Sequence, residues 1–320
     1  MKLLGILKKF LIEHAVSGEP LLLGLSGGPD SMVLFYALLE LKIKENLDFA
    51  VAHVNHNWRE ISGFEALELK KIVEDAGLLF HLLELDPNLL SGNLENSCRE
   101  KRLEFFKELC STFGYRGVLL GHHADDQAET VLKRVLEGAI LPRLHGLKQV
   151  NRINGLTIFR PLLLLRKSEI KKWLIEKKIE AFEDQTNHDP KFLRGRFRTK
   201  ILPYLNAQFG KEVTMPLYRL GTQSLELNQY LEQNILTHLQ KIERGTDFSS
   251  YDFSSIMMPF EIKYLVRSFA ESEGISLSYS LVDKAAFFIQ TNALNKTIFM
   301  QGRKIHFNRK KMVIWYVIKG

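Results

Sequence analysis

The stretch Ser26-Gly27-Gly28-Pro29-Asp30-Ser31 joins an apolar, strand-like run, Leu21–Leu25, to a helix-like one beginning at Met32. That junction limits what the chain can fold into more than any other feature. Two glycines let a backbone approach a ligand closely, and the N–H groups at a helix start point at anions. Such a turn cradles a phosphate chain beyond the carboxyl end of a buried strand. It is not a Walker loop and not a dinucleotide fingerprint, because neither Gly-x-x-x-x-Gly-Lys-Ser/Thr nor Gly-x-Gly-x-x-Gly occurs in the sequence. The plain alternative is a glycine-rich turn with a serine cap.

Apolar runs and helical patterns alternate through the first half. Strands are predicted at 21–25, 49–54, 80–85, 117–121 and 157–161. Helices are predicted at 30–41, 63–76, 96–113, 125–137 and 167–177. This order predicts an α/β fold, a doubly wound parallel sheet whose ligands sit beyond the strand ends. From about residue 212 the texture changes: a long helical stretch over 212–244, helices at 259–273 and 280–290, then strands at 297–300, 304–307 and 312–317. The expected organisation is an α/β domain over 1–215, which holds the phosphate-cradling turn, and a smaller α+β domain over 216–320.

Residues 1–188 carry 25 Lys+Arg against 26 Asp+Glu, whereas residues 189–320 carry 19 against 11. The excess positive charge therefore lies late in the chain, which suits a polyanionic partner, nucleic acid before membrane. Cys98 and Cys110 fall on one predicted helix, about 18 Å apart by helical rise, too far for a disulfide. Met1–His14 is too short and too interrupted by Lys8 and Lys9 for a signal peptide, and no apolar run approaches a membrane span. A cytoplasmic protein with no membrane partner is expected.

Four further clusters carry chemistry. In Gly121-His122-His123-Ala124-Asp125-Asp126-Gln127-Ala128-Glu129-Thr130, positions 122, 126 and 129 share a helix face. Its acids suit Mg²⁺ beside a triphosphate, a cationic substrate, or merely a solvated helix start. The His53–Arg59 stretch falls at a neighbouring strand end, the usual adenine side of such a pocket, and lacks the spacing of a zinc site. Arg99 and Arg102 lie one helical turn apart and suit phosphate, or equally a surface pair with Glu95. Arg194, Arg196 and Arg198 flank Phe197, a pattern that fits an RNA backbone or an ordinary basic loop.

The phosphate loop resembles that of the N-type ATP pyrophosphatases. All five segments in order, together with Arg160-Pro161-Leu162 and Asp184-x-Thr186-Asn187, resemble the tRNA(Ile)-lysidine synthetases across residues 20–205. Trp58 and Gly195 depart from that family's usual pattern. The resemblance implies an adenine nucleotide α-hydrolase-like sheet. It also implies ATP and Mg²⁺ as cofactors, and free L-lysine and a CAU-anticodon tRNA(Ile) as partners. The wobble cytidine O2 attacks the ATP α-phosphate and releases pyrophosphate; the lysine side-chain amine then attacks C2 and releases AMP. It assigns Ser26, Gly27, Gly28, Pro29, Asp30, Ser31 and His53 to the nucleotide, and Asp30 to the metal. Asp30, Arg102, His122, Asp126 and Glu129 are the expected catalytic residues. Asp126 and Glu129 are also expected to hold lysine, and Arg194, Arg196 and Arg198 to contact tRNA. A homodimer is compatible with the sequence. Two other readings stand beside this one: another enzyme with the same ATP loop, such as a tRNA thiolase, and a non-catalytic RNA-binding module.

Overall fold

The computed structural model describes residues 2–14, 18–45, 47–58, 61–86, 94–182, 193–256 and 258–316, with the backbone alone at 94, 95 and 236. Arg59, Asp184, Thr186, Asn187 and Val317, singled out above, lie outside the described residues, as does the side chain of Glu95. The chain divides into two compact units, residues 1–225 and 226–320.

In the first unit the strands are β1 (Leu21–Gly24), β2 (Phe49–Asn55), β3 (Phe80–Glu84), β4 (Val118–Leu119), β5 (Val150–Ile153) and β6 (Leu156–Phe159). They form one sheet in the order β3-β2-β1-β4-β6-β5. All neighbouring pairs are parallel except the edge strand β5, which returns antiparallel on β6. The helices are α1 (Lys2–His14), α2 (Pro29–Glu45), α3 (Ser62–Asp75), α4 (Leu94–Phe113), α5 (Ala124–Leu136), α6 (Lys167–Lys177), α7 (Leu193–Arg196) and α8 (Leu202–Phe209). The doubly wound reading therefore holds, with a mixed edge. β1 is a central strand covered on both faces, which explains its unbroken leucines. One core joins Leu21 and Leu23 to Phe35 and Leu38 of α2 and to Trp173 of α6. The other places Leu22 with Phe106 of α4 and Ile158 of β6.

α1 and β5 are among the elements not foreseen. Leu3, Leu7 and Phe10, at helical spacing, bury α1 against the core, so Lys2–His14 is a structural helix. β5 and β6 are joined by Asn154-Gly155, both at positive φ, the two-residue turn that Asn-Gly favours.

α9 (Thr214–Leu239) carries the chain across the division between the units. It ends before the predicted 244, because Glu243–Arg244 forms β7 against β8 (Phe248–Asp252). The second unit adds α10 (Pro259–Ser272), α11 (Tyr279–Gln290), β9 (Lys296–Met300), β10 (Arg303–Asn308) and β11 (Lys311–Trp315). Its antiparallel sheet runs β7-β8-β11-β10-β9. Phe269, Val282, Ile305 and Ile314 lie in the core shared by these helices and strands.

Candidate active site

The strand order reverses between β1 and β4, and their two carboxyl ends carry the Ser26–Ser31 loop and the Gly121–Glu129 segment. They touch directly. A Cβ on Gly121 would lie 2.9 Å from the Asp30 backbone, so only glycine admits this approach.

The loop is built by its own hydroxyls. Ser31 Oγ accepts from the Ser26 N–H at 3.2 Å and donates to the Gly28 carbonyl at 3.0 Å. Ser26 Oγ lies 3.1 Å from Ser31 Oγ. Gly27 has φ +83°, and a Cβ there would strike Phe182 at 2.6 Å. Gly28, by contrast, faces open space: a Cβ there would meet Ser26 Oγ at an unstrained 3.6 Å and no other described atom within 4 Å. Gly27 thus serves the turn, and Gly28 leaves room for a ligand. Pro29 starts α2 with its φ already helical. Asp30 follows in the first turn; its Oδ1 is buried with no hydrogen-bond partner.

His123, next to the expected His122, is the hub. Its Nε2 lies 3.5 Å from both Asp30 Oδ2 and Asp126 Oδ2, and its Nδ1 lies 3.6 Å from Asp125 Oδ2. Burial alone would lower its pKa, but Asp126, Asp125 and Asp30 outweigh burial and raise it to about 10. The Asp125 N–H points at Nδ1 from 3.2 Å, a cap contact that is lost when that nitrogen takes a proton. Asp125 itself is half-buried yet held below the usual carboxylate range by His123, the Lys167 N–H and Arg166. Arg166 in turn pairs with Glu212. Sequence reasoning missed His123 as a site residue; its position at the N-cap of a helix starting Asp125-Asp126 was the available signal.

Asp126 and Glu129 converge as their helical spacing requires, and Arg198 joins them. Its Nη2 donates to Asp126 Oδ1 at 2.7 Å and its Nε to Glu129 Oε1 at 2.6 Å, with all three side chains at most 17% exposed. Arg198 sits in a π-helical turn, Phe197–Ile201, a distortion frequent at functional sites. Asp126 is fully engaged, since Oδ2 also accepts the His123 N–H at 3.1 Å. Glu129 is not: its Oε2 is buried and unpartnered, and burial raises its pKa despite Arg198. The structure therefore turns Arg198 toward carboxylates, while Arg194 and Arg196 are exposed on α7.

His53 is buried, and its Nδ1 lies 2.8 Å from the Leu25 carbonyl, tying β2 to the exit of β1. Burial lowers its pKa, so the ring is neutral there. Arg102 and His122 sit on the β4 side of the phosphate loop, each with a buried, unpartnered nitrogen, Nε and Nδ1. Burial, with Arg160, Arg194 and Arg102 nearby, pushes His122 down to about 3 against the pull of Asp126. Among the described residues Arg99 and Arg102 form no ion pair. No group of three or more described His, Cys, Asp or Glu residues is arranged to hold a metal on its own.

The arrangement is a phosphate loop bordered by a cationic histidine, an open aspartate oxygen and a half-satisfied glutamate. Comparison with known proteins bears on the family and the fold. A family model described as the PP-loop domain matches residues 4–205. The tRNA(Ile)-lysidine synthase of Protochlamydia amoebophila is 38% identical over 313 residues, covering 97% of this chain and 68% of that protein. That of Chlamydia muridarum is 38% identical over 262 residues, covering 80% of each. Among solved structures, a U34-tRNA thiolase from Methanococcus maripaludis, determined with its iron–sulfur cluster, shares the fold. Its TM-score is 0.57 at 19% identity, over 72% of this chain and 78% of that one.

Proposed function

Because the chain belongs to the tRNA(Ile)-lysidine synthases of the PP-loop family, we propose a residue-level account of its ATP-dependent ligation, which forms lysidine at the tRNA wobble position. Ser26–Ser31 and the N-terminus of α2 hold the pyrophosphate part of ATP, with Gly28 giving the phosphates room. Mg²⁺ would be held by Asp30, whose buried Oδ1 is a hard oxygen donor without a partner. When bound, the ion neutralises charge on the leaving pyrophosphate. His123 holds Asp30 in place from 3.5 Å. Arg102 and neutral His122 face the phosphate that becomes the adenylate. The wobble cytidine O2 attacks the α-phosphate, pyrophosphate leaves, and the lysine ε-amine displaces AMP from C2.

Asp126 and Glu129 supply the acidic side of the lysine site. The open Oε2 of Glu129 is the group that carries this reading: a buried carboxylate oxygen with no partner suits an arriving ammonium. Asp126 acts beside it by fixing Arg198 and the start of α5. Residues 216–320, with Arg194 and Arg196, grip tRNA, in keeping with the late positive charge of the sequence.

The test uses labelled lysine, ATP, Mg²⁺ and tRNA transcripts, scored as label in acid-insoluble RNA. Incorporation is expected with tRNA(Ile) bearing CAU and not with the same transcript bearing UAU. Equal labelling of both, or none with either, refutes the substrate assignment.

A further inference from the structure

Arg160 is an arginine that the reaction account leaves unused, and it is almost fully buried, 4% exposed. It follows β6 directly. β6 pairs with β4 through Phe159 and Leu119, and the Leu120 N–H donates to the Phe159 carbonyl. His122 and Arg160 therefore leave adjacent strands at the same edge of the sheet. Arg160 Nη1 donates to the Lys148 carbonyl at 2.8 Å, whereas its Nε is buried and unpartnered. Arg102 Nε and His122 Nδ1 are in the same condition.

The charged groups acting on the two buried guanidiniums are cations, while His122 also feels Asp126. The cations felt by Arg102 are Arg99 and Arg194, and that felt by Arg160 is Arg99. Asp126 and one oxygen of Glu129 are paired with Arg198. No described carboxylate forms an ion pair with Arg99, Arg102, Arg160 or Arg194. Burial, reinforced by Arg99, lowers Arg160 to about 10. Buried cations without counter-charge are costly, and a fold that keeps them together is complementary to an anion. Guanidinium forks match phosphate oxygens in geometry as well as charge.

We propose that Arg99, Arg102, Arg160 and Arg194, with His122, form a second phosphate site, on the β4–β6 side of the Ser26–Ser31 loop. The proposal deepens the lysidine reading and rests on it for the choice of ligand: a phosphate of one of the two reacting nucleotides. That phosphate is either the α-phosphate of ATP or a backbone phosphate of the tRNA beside the target cytidine.

The variants are Arg160→Ala, Arg160→Lys and Arg99→Ala. Arg99 is exposed, so its removal leaves the fold intact even where Arg160→Ala does not. The probes are α,β-methylene ATP, pyrophosphate alone and a tRNA(Ile) transcript across a salt series. If the site takes the α-phosphate, the analogue binds roughly 10- to 100-fold more weakly to the Arg160 variants and several-fold more weakly to Arg99→Ala. Pyrophosphate, held by the loop, then binds as to wild type. If the site takes a backbone phosphate, the analogue is unaffected, tRNA binding weakens about 10-fold, and the salt slope falls by about one. Wild-type affinities for both ligands in Arg160→Lys and Arg99→Ala overturn the site. If the wild type incorporates lysine while these variants bind normally, the site fails and the lysidine reading stands. If binding weakens as expected but the wild type incorporates no lysine, the reading fails and the phosphate site stands.

Discussion

Removing the Arg198 side chain tests whether the acidic centre is held by charge pairing. Arg198→Ala deletes two short charge-assisted hydrogen bonds, 2.6 and 2.7 Å, between groups 17%, 9% and 6% exposed. It leaves two buried carboxylates together, Asp126 with His123 still 3.5 Å away and Glu129 without its ion-pair partner. Breaking a buried pair by removing one partner costs about 3–5 kcal/mol. For a unit of this size that lowers Tm by roughly 6–20 °C. The loss also depends on pH. Burial already raises Glu129, and without Arg198 its folded pKa rises further above the unfolded value. An acid with a raised folded pKa destabilises the fold once pH exceeds the unfolded value, and protonation relieves it. The deficit is therefore largest at pH 8 and shrinks toward pH 5. Urea unfolding in a Trp315→Phe background follows the first unit through Trp58 and Trp173. In the double variant Arg198→Ala/Glu129→Gln, the deficit measured against Glu129→Gln alone should be the same at pH 8 and pH 5.5. An Arg198→Ala protein within about 1 kcal/mol of wild type at pH 8 would mean the pair behaves as a surface ion pair, and the reasoning fails.

Three other outcomes are expected. Asp30→Asn should abolish lysine transfer with little change in Tm, because it removes a site charge at constant shape; near-normal transfer by the folded variant refutes the role of Asp30. His122 is neutral in the fold, with its pKa pushed down to about 3, so the unfolded chain takes up a proton first as pH falls below about 6.5. Stability should drop by about 2 kcal/mol between pH 7 and pH 5 on this account, and His122→Asn should flatten that acid limb in urea midpoints. Lys310→Ala/Lys311→Ala, in the turn before and at the start of β11, should raise the apparent KM for tRNA and reduce its salt dependence without altering ATP binding. Unchanged tRNA affinities and salt slopes would take this hairpin out of the tRNA surface.

The parallel sheet was legible because its strands are short apolar runs between amphipathic helices, and a buried central strand needs no alternation. The phosphate loop was legible because glycines and a helix start have one economical use together. α1 escaped notice since Leu3, Leu7 and Phe10 share their segment with Lys8 and Lys9. β7 escaped because two residues carry no period at all. In the site, the i, i+3 spacing of Asp126 and Glu129 was readable. Their pairing with Arg198, 69 positions beyond Glu129, was not, since nothing local distinguishes a buried arginine from a solvated one. The same limit applied to His123. Neighbouring histidines look alike in sequence, and the cap geometry of α5 alone decides which ring enters the carboxylate cluster.

The packing of Phe182 against Gly27 has a consequence for the order of assembly. The Phe182 N–H donates to the Gly27 carbonyl at 3.0 Å, and its ring fills the space beside the Gly27 α-carbon. The nucleotide loop is thus made well before the residue that braces it, which follows Gly27 by 155 positions. Contacts of such sequence separation form late, after the loop-closure entropy of the intervening chain has been overcome. During synthesis, β1 and β2 are available to pair long before the loop acquires its brace. Competence to hold ATP arrives with the last stretch of the first unit. A chain halted before residue 182 would carry the complete Ser26–Ser31 motif and lack the contact that keeps it in shape.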